Sequence, residues 1–318
     1  MSYPEQTANS PSVAEVGEKG IIALASRIPH YGSRRLIKGI GDDCAVIRGP
    51  GRAALLVTVD PSIEGVHFLK EWDLPEAVGA KLLSVGLSDI AAMGGEPNDA
   101  LLAMMLPPSL PVEWVERFFE GFNQVARKFA VNLAGGDVSS HPDRISLTLT
   151  LTGRMRRDEV IYRHRGRPND RLFLSGTIGD AEAGLRMLRN PISPEVKAKL
   201  RARIRNYWSS EPKIVAETDE DLMMRTLIPE PRLALGRLLS RTRTARAMID
   251  LSDGLVPSLL QLTKASRVQA VIYRDRLPLS PALVGWSALK GEEPHLIALQ
   301  GGEDYELLFA VPPEECRR

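Results

Sequence analysis

Residues Ile145 to Thr152 alternate without a break. Ile145, Leu147, Leu149 and Leu151 fall on one side, and Ser146, Thr148, Thr150 and Thr152 on the other. Successive side chains of an extended chain point to opposite faces, so this segment is a strand with one buried face. Elsewhere the period changes. Between Pro111 and Phe129, the apolar residues Val115, Phe118, Phe119, Phe122, Val125 and Phe129 recur at helical spacing. Strand-like runs alternate with helical patterns along the chain, which makes the fold class mixed α/β (α+β).

The same reading predicts strands at Leu55 to Val59 and Ala100 to Leu106, and a helix from Pro75 to Met93. A stretch rich in Arg, Gly and Pro, Gly153 to Asp170, then interrupts the order. It suggests two αβ domains, 1–153 and 154–318. In the second, strands are expected at Arg171 to Ser175 and Ala247 to Ile249. Helices are expected after Gly179, from Pro231 to Ser240 and from Asp253 to Ala265. Pro191 to Glu217 is charged, with a helical first half and a mobile surface segment expected after it.

At 318 residues the chain is long enough for two sizeable cores. A net charge of +1 gives no reason to expect a nucleic-acid or membrane-surface binder. Two cysteines, Cys44 and Cys316, are too few for a disulfide framework or a typical structural zinc site. No apolar run reaches transmembrane length, and Met1 to Ser12 is polar without a secretory pattern, so a cytoplasmic protein is expected.

Five acidic segments carry the chemistry. They are Gly41-Asp-Asp-Cys-Ala45, Thr58-Val-Asp60, Leu87-Ser-Asp-Ile-Ala-Ala-Met-Gly94, Asn132-Leu-Ala-Gly-Gly-Asp137 and Met248-Ile-Asp-Leu-Ser-Asp-Gly254. In each, an acid ends or follows an apolar run beside small residues, which predicts a carboxylate at a strand end or helix start. Gathered carboxylates are hard oxygen ligands that suit Mg²⁺, above all when phosphates complete the shell. No G-x-x-x-x-G-K-[ST] loop and no strand-to-helix G-x-G-x-x-G is present. Any ATP must therefore be held mainly through metals and scattered basic groups.

Singly, each acid also fits a plainer role. Asp42 fits a turn cap and Asp253 the N-cap of the following helix. In Gly301-Gly-Glu-Asp-Tyr-Glu-Leu-Leu-Phe309, Glu303 and Asp304 look placed at a site, whereas Glu306 fits a solvated acid before a strand. His67 fits either a packed histidine or a contact. Arg163, Arg165 and Arg167 fit a solvated basic loop or a guanidinium fork facing phosphate. Cys44 reads as a small buried residue.

In order along the chain, Gly39-Ile-Gly-Asp-Asp-Cys-Ala45, Glu64-Gly-Val-His-Phe68, the Leu87 to Gly94 segment, Gly135-Gly-Asp137, the Met248 to Gly254 segment and Gly302-Glu-Asp-Tyr-Glu-Leu-Leu-Phe309 resemble the motifs of the thiamine-monophosphate kinase family. That family belongs to the superfamily of aminoimidazole-ribonucleotide synthetase. The resemblance runs from about Gly39 to Pro312. It implies ATP-dependent phosphorylation of thiamine monophosphate to thiamine diphosphate by direct in-line transfer with several Mg²⁺ ions. By position it implies Asp43, Thr58, Val59, Asp60, Asp89, Asp137, Asp250 and Asp253 as metal ligands. It further implies Phe119, Gly136, Asp137, Arg163 and Ser252 at ATP, and His67 and Glu303 at thiamine monophosphate. The implied assembly is a homodimer whose N-terminal sheets join into a barrel, with the nucleotide at that interface.

Some positions depart from the family pattern. Gly86 stands for a usual Asn, Val138 and Val59 for usual Thr, and Phe119 for a usual Tyr. Each change is expected to weaken a contact without removing a carboxylate. The chain stops at Arg318, soon after the last motif, where family members generally continue to an aromatic that packs on thiamine. The second domain is thus expected to lack its usual end. Two other readings compete. One is a non-catalytic or regulatory ATP-binding homologue. The other is a different ATP-using member of the superfamily, such as a selenophosphate-forming or hydrogenase-maturation enzyme. No Cys precedes Cys44, and Cys316 is followed by Arg317-Arg318, which disfavours both of those enzymes.

Overall fold

The computed structural model describes residues 11–28, 34–72, 74–209 and 215–316. The first ten residues and the final Arg317-Arg318 pair, on which the expectations about the two chain ends partly rest, lie outside the described residues. So do residues 210–214 of the segment expected to be mobile.

The chain opens with helix α1 (Val13–Ala25), capped by Ser12, and then builds a sheet from β1 (Leu36–Lys38), β2 (Ala45–Arg48) and β3 (Ala53–Ile63). Helix α2 (Pro75–Ala92) leads to β4 (Glu96–Leu106), and α3 (Val112–Phe129) leads to β5 (Asn132–Ser140) and β6 (Ser146–Arg156). Strand order is β1-β2-β3-β6-β4-β5, antiparallel throughout except for the parallel pair β4 and β5. The alternation that predicted β6 is realised, since Ile145, Leu147, Leu149 and Leu151 are all fully buried. Their partners on β4, Ala100, Leu102 and Met104, face the same way beneath α2 and α3, as does Leu56 of β3. These two helices are joined by a forked ion pair, with Arg117 Nε and Nη2 each 2.9 Å from a carboxylate oxygen of the buried Glu76.

The second half carries a smaller antiparallel sheet, β7-β9-β8, from β7 (Arg171–Leu174), β8 (Ala247–Asp250) and β9 (Leu307–Val311). Around it lie α4 (Asp180–Leu188), α5 (Pro194–Asn206), α6 (Asp219–Leu227), α7 (Leu233–Thr242), α8 (Leu255–Ser266), α9 (Pro281–Lys290) and α10 (Pro294–Gln300). The largest apolar core runs from the covered face of the first sheet through Leu83 and Phe118 into Leu200, Met224 and Met248 of the second half. That continuity matters for function, because it seats α2 between the two sheets and carries residues of α2 to the end of β8. Among the described residues, no helix is long and apolar enough to cross a membrane.

Several sequence expectations are corrected. Only Asp250 stands at a strand end. Asp60 lies inside β3 and Asp137 inside β5, while Asp89 is in the last turn of α2. The glycine-rich run before Asp137 is itself strand, because β4 pairs with it on both sides of an irregularity at Ala134. Asp253 does not cap α8. The N-cap is Gly254, and the Asp253 carboxylate is exposed and accepts from Gln261 Nε2 at 3.3 Å.

Candidate metal and phosphate site

Four carboxylates from separate elements converge where α2 meets both sheets. The turn before β2 supplies Asp43, the covered face of β3 supplies Asp60, α2 supplies Asp89, and β8 supplies Asp250. Oxygens of Asp43, Asp89 and Asp250 lie within 4.8 Å of one another, and Asp60 is within hydrogen-bonding reach of Asp89. Period-two geometry explains β3: Thr58 and Asp60 share the inward face, and the Thr58 hydroxyl donates to Asp89 Oδ2. Val59, between them, turns its side chain outward at 57% exposure, which leaves its backbone carbonyl as the group it has to offer.

The cluster is electrostatically costly as it stands. Burial, reinforced by the Asp43 charge, raises Asp250 to about 7. Burial raises Asp60 to about 6, against a lowering contact with Asp89. Asp89 is pushed well above the ordinary carboxylate range, first by burial and then by the charges of Asp60, Asp250 and Asp43. Asp89 also sits at the carboxyl end of its helix, where the helix dipole disfavours a negative charge. Buried oxygens Asp60 Oδ2 and Asp42 Oδ2 lack a hydrogen-bond partner. An all-oxygen set with orphaned, mutually repelling carboxylates fits a hard divalent cation such as Mg²⁺.

Two further polar residues hold this arrangement: Ser88, which sequence reasoning passed over, and Asp42, read there as a turn cap. Ser88 Oγ donates to Asp250 Oδ2 at 2.7 Å, and Asp42 accepts from the Arg163 backbone N–H at 3.2 Å. Burial, with the neighbouring Asp43 charge, raises Asp42 to about 6. The serine stands immediately before Asp89 in its motif, but nothing local indicated that it faces a strand 162 residues away.

Of the basic loop, Arg163 turns to the cluster. It grips Asp43 with Nη2 to Oδ1 at 2.6 Å and Nε to Oδ2 at 3.1 Å, and Nη1 donates to Gln261 at 2.7 Å. Burial acts to lower its pKa, but the adjacent Asp43 prevails and the net shift is upward. Arg165 instead lies over Tyr162, 4.6 Å from the ring centroid, and with Arg167 lines a separate cavity of about 510 Å³. Cys44 is buried as expected, and burial plus the surrounding aspartates push its thiol well up, which leaves it unreactive.

The last motif closes the site from the second half. Glu303 N–H donates to Ser252 O at 2.7 Å and Tyr305 N–H to Leu251 O at 3.1 Å, lacing this loop to the one after β8. Gly254 permits the approach, since a Cβ there would lie 1.9 Å from Gly301 O. Glu303 and Tyr305 both adopt left-handed backbone, at φ 62° and 50°. Asp304, between them, is not a site residue. Its carboxylate accepts from Gly179 N at 2.8 Å and Ala181 N at 3.2 Å, at the start of α4. Glu306 is not solvated either. It is 2% exposed and receives both arms of Arg232 and the Ser175 hydroxyl. The Glu303 side chain points instead to Lys81 on α2, with Oε2 3.0 Å from Nζ. His67 Nδ1 accepts from Ile63 N at 3.1 Å, and burial lowers its pKa, which leaves a neutral ring with its proton on Nε2.

The remaining sequence candidates stand apart from the cluster. Asp137 and Gly136 lie on β5, whose nine residues are all exposed, with Gly136 paired to Leu102. Phe119 is half-buried on α3, edge-on to Phe118 at 5.3 Å between centroids.

Residues 41–155 match the family described as AIR synthase related protein, N-terminal domain. The chain is 33% identical to the thiamine-monophosphate kinase of Bacillus subtilis over 299 residues, covering 93% of this chain and 83% of the relative. It is 35% identical to that of Aquifex aeolicus over 300 residues, covering 94% and 87%. The solved structure described as AaThiL complexed with AMPPCP and TMP superposes with a TM-score of 0.81 at 33% identity, over 97% of this chain and 89% of that one. Since these similarities exceed 30% identity over more than nine-tenths of its length, the chain belongs to the thiamine-monophosphate kinase family.

Proposed function

We propose that this protein is the kinase that transfers the γ-phosphate of ATP to thiamine monophosphate, giving thiamine diphosphate and ADP. The observation that carries the reading is the convergence of Asp43, Asp60, Asp89 and Asp250: burial raises the pKa of the last three, and Asp60 Oδ2 has no hydrogen-bond partner, which calls for cations beside Arg163. Similarity to curated kinases and to a relative held with AMPPCP, an ATP analogue, and TMP supports both substrates.

In the reaction, a phosphate oxygen of the acceptor bonds to the γ-phosphorus while the bond to the β–γ bridging oxygen breaks, so ADP leaves with that electron pair. The acceptor is already an anion near neutral pH, so no strong general base is required. Bound Mg²⁺ neutralises and aligns the phosphates. The chain's part is to hold those ions through Asp43, Asp60, Asp89 and Asp250, with Thr58 and Ser88 fixing two carboxylates. Asp137, Asp253 and the Val59 carbonyl would hold further ions, and Gly136, Ser252, Phe119 and Arg163 are assigned to the nucleotide. His67 offers its Nε2 proton, and Glu303 a carboxylate, to thiamine monophosphate.

The proposal extends to a division at 153/154, a homodimer and a cytoplasmic location, the last in keeping with an ATP-dependent reaction. In support of the dimer, Leu55, Val59 and Leu101 are exposed on β3 and β4, on the face of the sheet opposite to the one that α2 and α3 cover. Light scattering that finds only monomer would count against it. The activity is tested by thiamine diphosphate formation from thiamine monophosphate, ATP and Mg²⁺, with Asp89→Asn as control. Product from the wild type that disappears in the variant is expected. A folded wild type without product would favour a non-catalytic homologue.

A further inference from the structure

Lys81 belongs to none of the motifs, yet the fold places it between the two halves of the site. It lies on α2 seven residues before Ser88, two helical turns away, so both side chains occupy nearly the same face about 10.5 Å apart along the axis. Ser88 holds Asp250, and Lys81 pairs with Glu303 at 3.0 Å. One helix face thus runs from the metal-binding end to the loop that carries Glu303. The Lys81 side chain is only 13% exposed, and His67 feels both its charge and that of Glu303. Lys81 lines a pocket with Ser62, His67 and Trp114. Lys70 reaches the same pocket but is solvent-exposed.

The backbone of Glu303 adds a second observation. A left-handed conformation is unfavourable for a non-glycine residue and persists only where the surroundings demand it. Here Asp304 is anchored on α4 and the Glu303 N–H on Ser252, which forces the Glu303 side chain toward Lys81.

We propose that Lys81 binds the phosphate of the acceptor by an exchange of ion pairs. The inference rests on thiamine monophosphate being the substrate. That molecule carries a cationic thiazolium joined through a short ethyl arm to an anionic phosphate, the same charge pair that Lys81 and Glu303 present to each other. On binding, the ammonium passes from Glu303 to the phosphate, and the carboxylate is left to the organic cation. No buried charge loses its partner, so the desolvation penalty that accompanies an unpaired buried ion does not arise. Thiamine itself, lacking the phosphate, would separate Glu303 from Lys81 without giving Lys81 a replacement, so the exchange selects for the phosphorylated form.

The test is calorimetric binding of thiamine monophosphate and of thiamine, in Mg²⁺ and a non-hydrolysable ATP analogue, to the wild type, Lys81→Met, Lys81→Arg and Lys70→Met. Lys81→Met should weaken thiamine monophosphate at least tenfold while thiamine binds as well as before or better, because Glu303 no longer has a competing partner. Lys81→Arg should recover part of the loss, and Lys70→Met should behave as wild type. Equal loss for both ligands would overturn the proposal and leave Lys81 as a support for Glu303, and so would unchanged binding of thiamine monophosphate. Retained ATP-analogue binding reports that each variant is folded. Should Lys81→Met fail that check, Lys81→Gln and Lys81→Arg carry the comparison. A wild type that binds the ATP analogue but not thiamine monophosphate would instead refute the substrate assignment itself.

Discussion

Replacing Asp250 by Asn should stabilise the metal-free protein while abolishing its response to Mg²⁺. In the fold Asp250 is 2% exposed and raised from 3.8 to about 7, by burial first and then by the charge of Asp43. A folded-state pKa above the unfolded value means that the folded chain keeps a proton which the unfolded chain has released. Stability therefore falls as pH rises from about 4 to about 7, and the loss is complete above that. At about 1.36 kcal/mol per pH unit, this penalty is about 1.6 kcal/mol at pH 5 and about 4 kcal/mol at pH 8. Direct repulsion gives the same order: two unit charges 4.8 Å apart, the limit within which these oxygens lie, repel by about 3.5 kcal/mol at an effective dielectric of about 20. Asn keeps the shape and an oxygen for the 2.7 Å bond from Ser88, but removes the charge. Guanidinium unfolding followed by tryptophan fluorescence, in chelator at pH 5 and pH 8, should show the variant ahead by a margin that grows with pH. Adding Mg²⁺ should then stabilise the wild type, by about 2.7 kcal/mol at a hundredfold excess over Kd, and leave the variant unmoved. A variant no more stable than wild type at pH 8, or equal Mg²⁺ stabilisation of both, would refute the view that this cluster is strained in the absence of a cation.

Arg232→Met should destabilise the protein by about 3 kcal/mol, because it removes both close ion-pair contacts of the buried Glu306 and leaves it with Ser175 and the more distant Arg225, yet leave Mg²⁺ affinity unchanged. Chemical denaturation and a Mg²⁺ titration separate the two effects, and a changed Mg²⁺ affinity would tie Glu306 to the site after all. Gly136→Ala would place a Cβ 1.8 Å from Leu102 O, so β5 must shift from β4 at a cost of about 1–3 kcal/mol. If β5 forms the dimer contact, sedimentation should also show the variant with more monomer than wild type.

Much of the fold was legible because secondary structure writes its period into one dimension. The Leu-and-Thr alternation of β6, the aromatic stripe of α3 and the proline start of α2 each follow from local geometry, and the structure places them within a few residues of the expectation. The acidic motifs were legible as a set for a different reason: carboxylates beside small residues are a chemical signature that survives without knowledge of the fold. What a carboxylate does depends on its neighbours, and these come from distant parts of the chain. Glu303, Asp304 and Glu306 lie within four residues of one another, yet one faces Lys81, one anchors a helix start and one is locked to Arg232. Lys81 and Ser88 read as ordinary positions of an amphipathic helix. Only the seating of α2 between two sheets turned one toward Glu303 and the other toward Asp250, across 222 and 162 residues of chain. Periodicity determines which face of an element is buried, whereas the order of strands and the packing of α2 decide what that face meets.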